Sequence, residues 1–189
     1  MLSGIPNVKN ISDDISTGKT QAEHDAALAA VLHRLRETNL TLNKDKCKFN
    51  NTTIEFYGYL FSDKGIAADR KKVESILNAS NPRNATELRS FLGLVNYVAR
   101  FIPDYATKSA PLRELTKTNA RWHWSSRHQQ AVDDIKRKLT SRSVMAYFDL
   151  SKQTEVIVDA GPGGLGAILA QKQPGSNQFK VVAYASSTL

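Results

Sequence analysis

The chain has 189 residues, of which 41% are hydrophobic and 23% charged, and its formal net charge is +8 at pH 7. This composition is typical of a globular protein with a core and excludes an intrinsically disordered chain. The sequence contains no apolar run of membrane-spanning length and no secretory signal, so we expect an intracellular protein, cytoplasmic or nuclear, without a membrane partner. Its one cysteine, Cys47, excludes an internal disulfide, and no Cys and His cluster indicates a zinc site.

The positive charge favours a polyanionic partner, and nucleic acid is the first candidate. The alternative is a generic basic surface. The basic residues are spread over several predicted elements rather than one tail, which suits a groove that follows a phosphate backbone. They include Lys44, Lys46, Lys48, Arg70, Lys71, Lys72, Arg83, Arg89, Arg100, Arg113, Arg121, Arg137 and Lys138.

A pair of adjacent aspartates, Asp13 and Asp14, lies between two short apolar segments near the start of the chain. Neighbouring side chains of a straight strand point to opposite faces, so two carboxylates serve one site only where the backbone turns, as at a hairpin tip. Carboxylates on such a tip can hold Mg²⁺, and two-metal polymerases use that chemistry. Aspartate pairs are also common in ordinary turns, so both interpretations stay open on these residues alone.

The segment from Gln21 to Asn39 has the periodicity of an amphipathic helix, with Asn39 as its stop. A lysine-rich stretch follows, and residues 53–61 are mostly β-branched or aromatic, which predicts strand structure. A turn at residues 62–65 closes that element.

Two short helices are predicted next, and together they indicate a small helical subdomain. The first follows Asp69, is marked by Val73, Ile76 and Leu77, and ends before Asn81-Pro82. The second opens with a capping pair, Asn84 and Glu87, and ends at Pro103. Its apolar stripe consists of Leu88, Phe91, Leu92, Val95, Val98 and Ile102.

The remainder of the chain predicts one more helix and then strands. Trp122 and Trp124 are expected to pack in the core, and Ser125 or Ser126 can cap the helix that follows them. Alternating strand-like and turn-rich segments then predict strands over residues 154–158, 165–169 and 180–185.

Two phosphate-binding signatures are present, and physical arguments exclude both. Gly18-Lys19-Thr20 resembles the end of a P-loop, but Asp13 occupies the position of the earlier glycine that the loop requires. The glycine series from Gly161 to Gly166 matches a dinucleotide-binding motif, but too few residues precede Pro174 to form the helix of such a unit. We expect a glycine-bent hairpin there.

A series of motifs then runs in collinear order over essentially the whole chain. The motifs are ISDDI, HDAALAAVLHRLRETNLTLNKDKCKF, FYGYLFSDKGIAADRKKVESI, ELRSFLGLVNYVARFIPDYA, APLREL, WHW, VMAYFDLSKQTEVIVDAGPGGLGAILAQ and VVAYASSTL. This series closely resembles the Pol polyprotein of gypsy-type long-terminal-repeat retrotransposons. The resembling part runs from the reverse transcriptase active-site hairpin into the start of the ribonuclease H domain.

The resemblance implies a mixed α+β fold: palm-end hairpins and a helix, a small helical thumb, and the first antiparallel strands of a ribonuclease H-like sheet. Residues 1–65 would be the C-terminal palm with a primer-grip-like hairpin, Phe56 to Phe61, and residues 66–118 the helical thumb-like subdomain, in which Asp69 to Pro103 resembles the thumb. Residues 119–189 would contain the connection, Trp122 to Phe148, and the start of the ribonuclease H-like domain.

The resemblance also implies residue roles. Asp13 and Asp14 match the aspartate pair that binds catalytic Mg²⁺, with Asp13 the direct ligand, and Asp159 matches the first carboxylate of the ribonuclease H metal site. The nucleic-acid contacts implied for the primer grip and thumb are Tyr57, Gly58, Tyr59, Lys71, Lys72, Arg89 and Arg100. Alternatives stay open: Asp159 as a turn residue, the aromatic residues as cross-strand packing, and the basic residues as a solvated face.

Several departures from the family bear on activity. Ile11 replaces an aromatic residue of the nucleotide site, residues 15–18 form a short and polar return strand, and Gly161 replaces a common serine. The further carboxylates of each metal site would precede Met1 or follow Leu189, and two metals about 4 Å apart need several converging carboxylates.

We therefore expect an inactive fragment of an RNA-directed DNA polymerase and ribonuclease H. Its partners in the intact enzyme would be primer–template, RNA–DNA hybrid and the rest of the Pol polyprotein, with Mg²⁺ as cofactor. The alternatives are a non-catalytic duplex-binding module and a non-functional remnant.

Overall fold

The computed structural model describes residues 2–11, 14–17, 20–141, 143–161 and 164–188. Its backbone divides into two compact units, Met1–Asn50 and Asn51–Leu189. Helices alternate with small antiparallel sheets, so the predicted mixed α+β class is confirmed. Among the described residues, no helix combines the length and the apolar character that a membrane crossing would need.

The first unit combines a short hairpin with one helix. Strands β1 (Val8–Ile11) and β2 (Asp14–Thr17) are antiparallel, and helix α1 (Gln21–Glu37) follows them. The apolar side chains of Leu2, Val31 and Leu35 are buried together and form the small core of this unit. The described part of the return strand is Asp14–Thr17, and Gly18, the last residue of the predicted strand, lies outside the described residues.

Local capping sets both ends of α1. The hydroxyl of Thr20 accepts a hydrogen bond from the backbone N–H of Glu23, and the Glu23 carboxylate accepts one from the N–H of Thr20. Thr20 is therefore the N-cap of an amphipathic helix. At the other end Asn39 has a positive φ of 53°, which confirms it as the stop.

The second unit begins with a three-stranded antiparallel sheet in the order β3-β4-β5. The strands are β3 (Thr53–Phe56), β4 (Tyr59–Ser62) and β5 (Gly65–Ala68). The β-rich run forms a tight hairpin, as the resemblance implies for residues 56–61, because Tyr57 and Gly58 have φ of 46° and 69° and reverse the chain. The turn at residues 62–65 leads into β5, which the sequence did not indicate.

Four helices follow in this unit: α2 (Arg70–Leu77), α3 (Ala85–Val98), α4 (Tyr105–Glu114) and α5 (Ser126–Thr140). The predicted capping pair at the start of α3 is confirmed, since Asn84 Oδ1 accepts from the N–H of Glu87. Helix α3 ends at Val98, earlier than predicted, and a 3₁₀ turn continues to Phe101. Helix α4 was not predicted from the sequence, and it contains Pro111, a residue that is normally a helix breaker.

One hydrophobic core joins these helices. The predicted stripe of α3 lies at its centre, where Leu88, Val95 and Val98 are each 0% exposed. Trp122 and Trp124 stack with ring centroids 5.7 Å apart and pack against this core, as predicted.

A second antiparallel sheet closes the unit in the order β6-β7-β8. Its strands are β6 (Thr154–Gly161), β7 (Gly164–Lys172) and β8 (Phe179–Ser187). Gly161 pairs with Gly164 across the β6–β7 hairpin, so the glycine series is a hairpin connection, as expected.

A single extended segment bonds to both sheets. Met145 exchanges two backbone hydrogen bonds of 2.8 Å with Ile66 of β5, and the N–H of Ala146 donates to the carbonyl of Val181 in β8 at 2.8 Å. Gly65 has a φ of +129°, and a Cβ there would overlap the Met145 carbonyl oxygen. The close approach of these two backbones therefore requires glycine at position 65.

Replacing Gly65 by Ala should destabilise the fold by about 1–3 kcal/mol through backbone strain, with a further loss from the bridge to Met145. Urea unfolding measures the change. The control is Gly93→Ala in α3, where a Cβ meets nothing within 4 Å and helix propensity favours Ala by about 0.5–1 kcal/mol. Equal effects of the two substitutions would contradict the bridge.

His128 should make folding stability depend on pH. Its Nδ1 accepts a hydrogen bond from the N–H of Ser125 at 3.0 Å, and burial, followed by the nearby charge of Arg127, lowers its pKa below the usual 6.5. Because the pKa of His128 is lower in the folded chain than in the unfolded chain, the neutral imidazole contributes to the free energy of unfolding. This contribution is complete above the unfolded pKa and is lost as pH falls through the folded pKa.

The variant His128→Gln keeps an acceptor at this helix position without a titrating group. Unfolding free energies measured between about pH 8 and about pH 5 should fall less for this variant than for the parent chain. If the unfolding free energies of the two chains change equally with pH, then folding does not shift the pKa of His128.

Candidate nucleic-acid interface

The hairpin tip and the helices after it bring several predicted contact residues to one place. Five of the predicted nucleic-acid contacts gather around Tyr97, a residue that the sequence reasoning did not single out. We call this cluster the tyrosine platform; it consists of Tyr57, Gly58, Tyr59, Lys72, Tyr97 and Arg100. It is built from the turn between β3 and β4, from β4, α2 and α3, and from the 3₁₀ turn after α3.

Two stacked rings, each with a cation over it, form the body of the platform. The rings of Tyr59 and Tyr97 are stacked, with centroids 5.8 Å apart and planes 16° from parallel. Lys72 Nζ lies 5.5 Å from the Tyr97 centroid, and the guanidinium carbon of Arg100 lies 5.4 Å from that of Tyr59. Both separations are in the range of cation–π attraction, which holds the cations against the rings.

The hairpin tip closes against the same ring. The Tyr97 hydroxyl donates a hydrogen bond to the carbonyl of Tyr57. Gly58 is in the left-handed region at φ +69°, and a Cβ there would overlap the ring of Tyr97. Glycine is therefore needed both for the turn and for the contact with the ring.

The two cations of the platform are available to an anionic ligand. Lys72 and Arg100 are exposed, and neither takes part in an ion pair among the described residues. Tyr97 is 40% exposed and Tyr57 55% exposed. The result is a positively charged surface with accessible aromatic rings, which suits phosphate and nucleic-acid contacts.

Two predicted contacts lie outside this cluster. Lys71 has an exposed side chain on α2, and its backbone N–H donates to the Asp69 carboxylate that caps the helix. Arg89 Nη2 donates to the carbonyl of Thr116 at 2.9 Å, so Arg89 links α3 to the segment after α4.

The predicted metal ligands are only partly described. Asp13 lies outside the described residues, and Asp14 is the first residue of β2, opposite Ile11, with its side chain undescribed. Asp159 is exposed on β6 and pairs across the hairpin with Gly166. Within the described part of the chain, no three or more His, Cys, Asp or Glu side chains form a group that could hold a metal.

A further carboxylate, not found from the sequence, faces the same hairpin. A Cβ at Gly166 would lie 2.6 Å from Oδ1 of Asp104, so the Asp104 carboxylate covers this glycine. Cross-strand partners project to the same face of a sheet, so Asp104 and Asp159 lie on one face. Asp104 precedes α4 and pairs with Lys108 at 3.6 Å.

Similarity to known proteins agrees with this architecture. A family model, the RNase H-like domain found in reverse transcriptase, matches residues 124–189. The transposon Tf2-3 polyprotein of Schizosaccharomyces pombe (strain 972 / ATCC 24843) is 35% identical over 176 residues, which cover 93% of this chain. The chain belongs to the reverse transcriptase and ribonuclease H region of gypsy-type retrotransposon polyproteins.

A further relative is similar in sequence to this retrotransposon segment. The Tf2-7 polyprotein of the same yeast is 36% identical over 168 residues, or 89% of the chain. The chain spans 13% of the length of each of these polyproteins.

Two solved structures show the same fold over the full length of the segment, each at 26% identity. They are the foamy viral protease-reverse transcriptase in complex with dsDNA (TM-score 0.83, 40% of that chain) and in complex with RNA/DNA hybrid (TM-score 0.81, 26% of that chain).

Proposed function

We propose that this segment grips a nucleic-acid duplex, the primer–template or RNA–DNA hybrid of a retroelement polymerase, through the tyrosine platform. The observation that carries the proposal is the convergence of the hairpin tip, two stacked tyrosines and two unpaired cations. None of these residues requires a metal to contact a ligand.

The chemistry of the platform favours the phosphate backbone. Lys72 and Arg100 present hydrogen-bond donors and positive charge, which contact phosphate oxygens regardless of base sequence. The net charge of +8 adds long-range attraction. Binding should therefore be strongly salt-dependent and nearly independent of sequence.

The foamy viral structures support a duplex as the ligand. By their names, those proteins hold dsDNA and an RNA/DNA hybrid, and this chain matches their fold along its full length. In this proposal residues 1–65 act as the end of the palm, residues 66–118 as the thumb, and residues 119–189 as the connection and the start of the nuclease.

For the longer polyprotein, we infer polymerase and ribonuclease H activity with Mg²⁺, in an intracellular compartment, cytoplasmic or nuclear, that holds the nucleic-acid substrate. Mg²⁺ in such enzymes activates the attacking oxygen and stabilises the leaving group. Asp13 and Asp14 are the candidate ligands on the polymerase side and Asp159 on the nuclease side. These three candidates are divided between two sites, and two-metal chemistry needs several converging carboxylates at each site, so we propose that this chain alone binds a duplex without processing it.

Binding is tested by fluorescence anisotropy of a labelled RNA–DNA hybrid over a series of salt concentrations. Lys72→Ala and Arg100→Ala should each weaken binding and reduce the slope of log affinity against log salt by about 1, since each removes one phosphate contact. The charge-matched control is Lys152→Ala, whose ammonium pairs with Asp149 at 3.6 Å, away from the platform. Equal slopes for all three variants would overturn the assignment of the platform.

The proposal that this chain alone does not catalyse synthesis is tested by primer extension with this chain, Mg²⁺ and nucleoside triphosphates. We expect no synthesis, because two-metal chemistry needs several converging carboxylates. Synthesis that Asp13→Asn abolishes would show that the chain holds a complete metal site.

A further inference from the structure

We propose that Tyr97 is a positioning residue: it seats the hairpin tip on α3 and thereby sets where along the duplex the tip makes contact. This inference rests on the proposed function, since it concerns the same platform. It assigns a role to a residue that lies outside the apolar stripe of its helix and is 40% exposed.

The first part of the argument concerns the carbonyls of the tip. Tyr57 and Gly58 form the two-residue turn between β3 and β4, beyond the last cross-strand pair of Phe56 with Tyr59. Turn carbonyls need partners outside the strand ladder. The Tyr57 carbonyl accepts from the Tyr97 hydroxyl, and the Gly58 carbonyl accepts from the N–H of Asp69, the N-cap of α2, at 3.1 Å.

These two bonds anchor the tip to two different helices. One leads to the start of α2 through the backbone, which a substitution cannot easily remove. The other depends entirely on the phenol of Tyr97. Its loss leaves the tip with one anchor, about which it can tilt.

The second part of the argument concerns shape. The ring of Tyr97 fills the space that a side chain at Gly58 would need, and it stacks on Tyr59 in the following strand. The same ring lies under Lys72. Tyr97 therefore contacts the tip, the ring of Tyr59 and Lys72 at once. These three groups keep fixed positions relative to one another when a duplex contacts any of them.

The third part separates this role from ordinary stability. The buried contacts of α3 come from other residues, among them Val95 and Val98, each 0% exposed. Tyr97→Phe keeps the ring and its stacking and removes only the hydroxyl. The helix and its core should be retained, while the tip loses its second anchor.

The chain offers a matched control. The Tyr147 hydroxyl donates to the carbonyl of Ser62 at 2.9 Å, at the other end of β4. Tyr147→Phe thus removes the same kind of bond, a phenol to a backbone carbonyl of the same sheet, at a point outside the platform.

The test places a photoreactive tyrosine analogue at position 57 and maps its cross-links on an RNA–DNA hybrid with a recessed primer end. The parent chain should cross-link to one or two neighbouring nucleotides. In the Tyr97→Phe background the cross-links should spread, and affinity should fall about threefold to tenfold, the factor that one neutral hydrogen bond supplies. The Tyr147→Phe background should match the parent in both measurements, and the urea midpoints should change little.

The outcomes separate this inference from the function on which it rests. If the parent binds but Tyr97→Phe gives the same cross-links and affinity, the positioning role is overturned and the duplex grip stands. If the parent binds no hybrid at low salt, the proposed function fails.

In that case, hydrogen exchange of the chain without a duplex still tests whether Tyr97 holds the hairpin tip against α3. Tyr97→Phe should speed exchange of the Asp69 amide, which the tip protects, and Tyr147→Phe should not. Unchanged exchange in both variants would overturn the seating itself.

Discussion

The backbone bridge between Ile66 and Met145 is the constraint on which the second unit depends. It joins the sheet of β3, β4 and β5 to the segment that also bonds Val181 of β8, so two sheets distant in sequence are linked through main-chain atoms. A shift of one strand by one residue would break these hydrogen bonds and move each side chain of that strand to the opposite face of the sheet. Gly65 allows the approach, because a side chain there would overlap the Met145 carbonyl oxygen.

The buried glutamine of β7 extends this link. Gln171 is 1% exposed, and its side chain bonds the backbone N–H and carbonyl of Asp149 at 2.9 and 2.8 Å and the Thr154 hydroxyl at 2.8 Å. A buried amide with its partners satisfied stabilises one arrangement, since any other leaves polar groups unpaired. The segment that leaves the bridge is thereby held against the second sheet.

The tyrosine platform is the other consequence of a fixed first sheet. Strand β4 is tied at its Ser62 end by Tyr147, and the turn before it is tied to α3 by Tyr97. A duplex grip and a metal-dependent reaction make different demands on such a surface. A grip on a duplex needs cations and rings held in place, as they are on this platform, whereas a two-metal reaction needs clustered carboxylates; among the described side chains, Asp104 and Asp159 lie on one sheet face.

The sequence by itself determined the features that depend on near neighbours. The start of α3 was predictable because its capping pair is three positions apart, the extent of α1 because its periodicity and its stop at Asn39 are local, and the strands β6 to β8 because alternation and turn residues are local. Its collinear motifs also indicated the family, which similarity to the Tf2 polyproteins confirms.

Only the tertiary structure decided the remaining features. Helix α4 forms despite Pro111, because Leu112 and its neighbours are buried in the common core. Tertiary packing also decided the contact of Tyr97 with Tyr57, which lies 40 positions away in the sequence, and the bridge of Met145 to Ile66. Contacts across such separations leave no periodicity in the chain; their geometry exists only once packing brings the two segments together.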